Sequence, residues 1–132
     1  MKRTYDTGID SNQIALGVKV GTVGTAYTSV YLARSGGQNS KIAESNEDSG
    51  SIKDKIIGDA KQVKTAYLII RTTVDFSNID KEQWPNQADK ITVRYHLDGG
   101  FSGNQIYNND TDDIDIVLGG KVAIITKPIQ LI

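Results

Sequence analysis

Gln13-Ile14-Ala15-Leu16-Gly17-Val18-Lys19-Val20 alternates strictly: Ile14, Leu16, Val18 and Val20 fall on one face of an extended chain, and Gln13, Ala15, Gly17 and Lys19 on the other. Side chains of a strand point to opposite faces with period two, so this is the pattern of a strand buried on one side only. Gly21 and Gly24 bracket a turn after it. The next run, Ala26–Arg34 (AYTSVYLAR), alternates again, with Thr28, Val30 and Leu32 opposite Tyr27, Ser29 and Tyr31, which predicts an N-terminal hairpin.

The same period recurs further along. Thr65–Phe76 (TAYLIIRTTVDF) sets Ala66, Leu68, Ile70, Val74 and Phe76 on one face, with Tyr67 and Ile69 on the other. Apolar residues on both faces predict a central strand covered on each side. Lys90–Leu97 (KITVRYHL) turns Ile91, Val93, Tyr95 and Leu97 inward and ends at the turn signal Asp98-Gly99-Gly100. A short strand is expected around Gln105–Tyr107. Ile114–Thr126 (IDIVLGGKVAIIT) reads as two strands joined by a two-residue Gly119-Gly120 turn, because positive φ costs glycine nothing.

Between these runs lie two long polar stretches. Residues 35–50 (SGGQNSKIAESNEDSG) contain only Ile42 and Ala43 as apolar anchors and are expected to form one long polar loop, mobile or reaching to another subunit. Residues 77–90 (SNIDKEQWPNQADK) predict an irregular connection with one helical turn, capped by Ser77 or Asn78 and ended by Pro85. Ser51–Gly58 (SIKDKIIG) fits either a helical turn or a short strand. About seven short strands within 132 residues predict an all-β chain: a single domain over residues 1–132, built as an antiparallel β-sandwich or flattened barrel.

Composition narrows the chemistry. With no cysteine, neither a disulfide framework nor a thiolate metal site is available. A net charge of −1 disfavours nucleic acid as the default partner, since phosphate binding needs clustered Lys and Arg. The charges are unevenly spread: basic residues outnumber acidic ones from Met1 to Val74, and acidic ones dominate from Asp75 to Asp115, so two copies would be complementary head to tail. Met1-Lys2-Arg3 leads into Tyr5, Asp6 and Gly8 rather than a long apolar run, so neither a signal peptide nor a membrane span is expected, and no membrane partner. The expectation is a chain made in the cytoplasm and incorporated into a virion.

Candidate site residues are few. The only histidine, His96, sits mid-strand pointing away from the expected core, with no nucleophile motif beside it, so no catalytic residue and no cofactor is assigned. Asn108, Asp110, Asp112, Asp113 and Asp115 offer hard oxygen ligands within eight residues and are weak candidates for calcium; the EF-hand order fails, since Asp115 stands where that loop needs glycine. Trp84, Phe101 and Tyr107 fall outside or at the edges of strands, where an exposed ring can stack on a sugar or fill a partner's pocket. Ile129, Leu131 and Ile132, beyond Pro128, are too apolar for water and are expected to pack on the domain or add to a neighbour's sheet, with Lys121 and Lys127 guarding the edge. Together these features predict a non-enzymatic structural subunit of a larger assembly, of the kind found in phage capsids or tails, whose partners are copies of itself and other assembly subunits. The alternative is a carbohydrate- or calcium-dependent binding module.

Overall fold

Alternation along the chain becomes ten strands in two facing sheets. The computed structural model describes residues 3–37 and 39–132. In chain order the strands are β1 (Arg3–Tyr5), β2 (Gln13–Gly21), β3 (Thr25–Ala33), β4 (Ser40–Glu44), β5 (Ile52–Asp59), β6 (Tyr67–Asp75), β7 (Thr92–Asp98), β8 (Gln105–Asn108), β9 (Ile114–Val117) and β10 (Val122–Leu131). Two short helices, α1 (Ala60–Val63) and α2 (Trp84–Ala88), interrupt them. Sheet A runs β1-β10-β6-β3-β4, with β9 sharing the outer edge of β10 with β1; sheet B runs β5-β2-β7-β8. The two sheets remain separate layers, so the chain is an all-β sandwich and not a barrel.

The inward sides of both sheets supply one core. Ile14, Leu16 and Val18 of β2 and Val93, Tyr95 and Leu97 of β7 meet Leu68, Ile70 and Val74 of β6 and Ala123, Ile125, Ile129 and Leu131 of β10. Burying one such side chain stabilises a fold by about 1.5–3 kcal/mol, and no disulfide is present to share that task.

Several expectations need correction. β2 and β3 form no hairpin. β2 pairs with β5 and β7 in one sheet, β3 with β4 and β6 in the other, and Thr22–Gly24 carries the chain across the sandwich. β6 is central, between β10 and β3, but only its inward face is covered; Tyr67 is 37% exposed on the outer side. Residues 35–50 are not loop throughout. They contain β4, an edge strand on β3, with Ala43 buried and the amides of Ala26 and Thr28 bonded to Asp48 O and Ser45 Oγ. Residues 52–59 take the strand alternative. Pro85 lies in the first turn of α2, where its missing N–H would have no partner anyway, so it opens the helix it was expected to end.

The β9–β10 hairpin forms with a longer connection than two residues. Val117 pairs with Val122, leaving Leu118–Lys121 as the loop. Leu118, Gly119 and Gly120 all take positive φ, of 53°, 69° and 101°. Glycine accepts this freely; a leucine there costs about 1–2 kcal/mol.

β10 contains Pro128 and still lies inside sheet A. The Lys121 carbonyl and the Leu131 N–H both bond to the β6 side, which assigns odd-numbered β10 residues to β6. Pro128 is even-numbered, so its missing donor faces the gap where β9 has ended, at Ile125, and β1 begins, at Ile129.

Candidate functional site

The outer face of sheet B holds an open groove of about 470 Å³. Its shape follows from β2, whose outward positions Ala15 and Gly17 supply almost no side chain, so neighbouring strands lean over them. The Asp54 carboxylate of β5 stands above Gly17 so closely that a Cβ there would lie 2.5 Å from Asp54 Oδ1. His96 of β7 pairs with Gly17 from the other side. Its Nε2 lies 2.6 Å from Asn104 Oδ1 and its Nδ1 3.6 Å from Asp54 Oδ1, so the ring is held between two side chains. Ile52 and Ile106 give the groove apolar surface, and Lys19, Lys53 and Arg94 rim it.

The electrostatics of that rim are unbalanced. Lys19 and Arg94 stand directly opposite each other in the β2–β7 register, both exposed, and neither forms an ion pair among the described residues. Like charges directly across a ladder destabilise it by a few tenths to about 1 kcal/mol. A second depression, lined by Gly21, Thr92, Asn108 and Asn109, shares Lys19 and Arg94 with the groove, so the two cations sit at the middle of one longer trough. Chemically the trough suits an anion with an apolar neighbour. Hydroxyl and thiol side chains are absent from the groove's described lining, so the Asp54–His96 pair faces no nucleophile there.

The acidic segment is organised around a lysine. Lys127 occupies an inward position of β10, and its Nζ lies 2.8 Å from Asp110 Oδ2 and 2.7 Å from Asp113 Oδ2. Arg3 approaches Asp110 at 3.4 Å. Lys127 chiefly, with Arg3, holds the Asp110 carboxyl below the usual carboxylate range. Tyr95 packs beside this cluster with its hydroxyl buried and unpartnered among the described residues; burial first, then the charges of Asp113 and Asp110, pushes its pKa up. Lys127 therefore does not guard an edge. Asp112 and Asp115 remain exposed, Asp115 beside Arg71 on the outer face of sheet A, and Asn108 lies in β8. The five calcium candidates are thus not brought together, and among the described residues no group of three or more His, Asp or Glu side chains is placed to hold a metal ion.

The aromatic candidates also separate. Trp84 is half-buried and its Nε1 donates to Phe76 O at 2.9 Å and Ile79 O at 3.2 Å, closing one end of the core. Tyr107 donates its hydroxyl to Thr4 O at 2.9 Å and laces β8 to β1. Only Phe101, 81% exposed, stands free, in a loop fixed by the Tyr5 hydroxyl, which accepts from Gly100 N and donates to Gly103 O. Ile129 and Leu131 are wholly buried in their own core, so they cannot offer side chains to a neighbour; Ile132 is partly exposed, and its carbonyl accepts from Thr7.

Sequence reasoning missed Lys19, Arg94, Lys53, Asp54 and Asn104. Lys19 and Arg94 were readable as outward positions of their strands, but their opposition depends on the register between β2 and β7. Compared with family models, curated proteins and solved structures, the chain matches none. No helix among the described residues is long and apolar enough to cross a membrane.

Proposed function

We propose that the chain is a non-enzymatic structural subunit that associates with further copies of itself into a larger protein assembly. One observation carries this reading. The outer face of sheet B presents a trough with apolar surface in which Lys19, Lys53 and Arg94 stand against the single carboxylate of Asp54, while the β9 edge of sheet A presents the exposed carboxylate of Asp115 and the exposed apolar tip Ile116–Leu118. Complementary surfaces at different places on one molecule make head-to-tail contacts, which close into rings or extend into helical arrays. A repeating virion shell or tail is the kind of assembly this reading has in view.

The rival reading, a sugar-binding module, has less support, because two of its three rings are committed to bonds within the fold. Light scattering on the purified chain, from micromolar to millimolar concentration, tests the assembly reading. Species larger than the monomer should grow with concentration and shrink as salt is added, since exposed charges are screened. A monomer throughout at low salt overturns it.

A further inference from the structure

We propose that the β9–β10 hairpin of one copy seats on the outer trough of sheet B of the next, with Asp115 between Lys19 and Arg94 and Leu118 on Ile106. This contact rests on the assembly reading and specifies its partner surface as a second copy of the chain.

Three independent features meet in it. The first is charge. Lys19 and Arg94 oppose each other and neither forms an ion pair among the described residues, although Asp54 lines the same groove; Asp115 is an exposed carboxylate that likewise forms none, with Arg71 lining its depression. The second is strain. Leu118 is 70% exposed at φ 53°, a position where glycine is free and where a large apolar side chain gains nothing within its own molecule. Its counterpart Ile106 is 57% exposed beside His96.

The third is spacing. Asp115 and Leu118 are three residues apart at the end of a strand, about 10 Å at the usual rise. Arg94 and His96 are two residues apart on β7, and Ile106 lies one strand over from His96, so Arg94 and Ile106 are separated by about 8 Å. Anion and apolar knob therefore match cation and apolar seat in order and distance. The hairpin belongs to sheet A and the trough to the outer side of sheet B, so the contact is heterologous and leaves a free hairpin and a free trough at either end of the pair.

The test is a charge exchange followed by light scattering and sedimentation, with thermal melts to establish that every variant folds. Arg94→Glu and Asp115→Lys should each weaken association at least about tenfold, and the chain carrying both should associate more tightly than either single variant, since the new lysine and glutamate pair, though not as tightly as the parent, since that lysine still faces Lys19. Because the chain has no cysteine, Leu118→Cys with Ile106→Cys in one chain should give a ladder of oxidised multimers on a non-reducing gel. If the parent associates but the single reversals do not weaken it, or the double variant is not rescued, or no ladder forms, this contact is wrong and the assembly reading stands. If the parent is a monomer throughout, the assembly reading itself fails.

Discussion

Lys127 sits with its side chain 1% exposed, and two carboxylates dissolve its charge inside the sandwich. Removing one partner of a buried pair costs more than the pair contributes, because the other charge stays behind without solvent. Asp110→Asn leaves Lys127 with Asp113 alone, and an expected loss of about 2 kcal/mol follows, less than for a pair stripped bare. The pH dependence has a definite sign. Asp110 titrates lower in the folded chain than in the unfolded one, so its stabilisation is complete above the unfolded value and is lost as the pH falls through the folded value. Urea denaturation from about pH 5 down to about pH 2 should therefore show a shallower fall for Asp110→Asn than for the parent. Equal slopes would mean that the ion pair contributes nothing to folding. Part of this was legible beforehand: Lys127 interrupts the inward series Ala123, Ile125, Ile129, Leu131, and an inward cation requires carboxylates nearby. Which carboxylates answer it was not legible, since the segment 110–113 reaches Lys127 only through the fold.

Strands were readable where alternation was long, and their neighbours were not. The turn between β2 and β3 has the length and glycines of a hairpin, yet it crosses between sheets, with Gly24 packed so tightly that a Cβ would lie 2.7 Å from Asp75 O. Nothing local separates the two outcomes. β4 was missed for a different reason: an edge strand needs little apolar material, and Ile42 and Ala43 were all it had. The segment's bonds now give the opposite expectation from that of a dispensable arm. Deleting residues 37–48 removes β4 from Val30 and Leu32 and takes partners from the amides of Ala26 and Thr28. Each buried donor left unsatisfied costs about 1–3 kcal/mol, so the deletion should destabilise the chain by about 3 kcal/mol or more. A deletion variant with the parent's urea midpoint would return the segment to solvent.

At the scale of the molecule, the sandwich class was legible because period two is written into each strand, while sheet order depends on partners far apart in sequence. The last strand shows this most plainly. β10 pairs with β6 along one edge and with β9 and β1 along the other, so it is structural core and not a spare tail. A chain ending at Thr126 loses Ile129 and Leu131, both fully buried, the whole pairing of β1, and the Ile132 carbonyl that Thr7 holds. Circular dichroism should find it unfolded; a cooperative melt would show that the remaining strands suffice. The parallel β1–β10 pairing has a consequence in time as well as in space. Arg3–Tyr5 leaves the ribosome well before its partners, Ile129–Leu131, and Thr7 and Ile132 are 125 positions apart. Until the chain has been made through Leu131, β1 travels without its partner and that edge of sheet A cannot close. A nascent chain stalled before that point carries an unpaired strand and an open sheet edge, and is exposed to chance association for as long as the stall lasts.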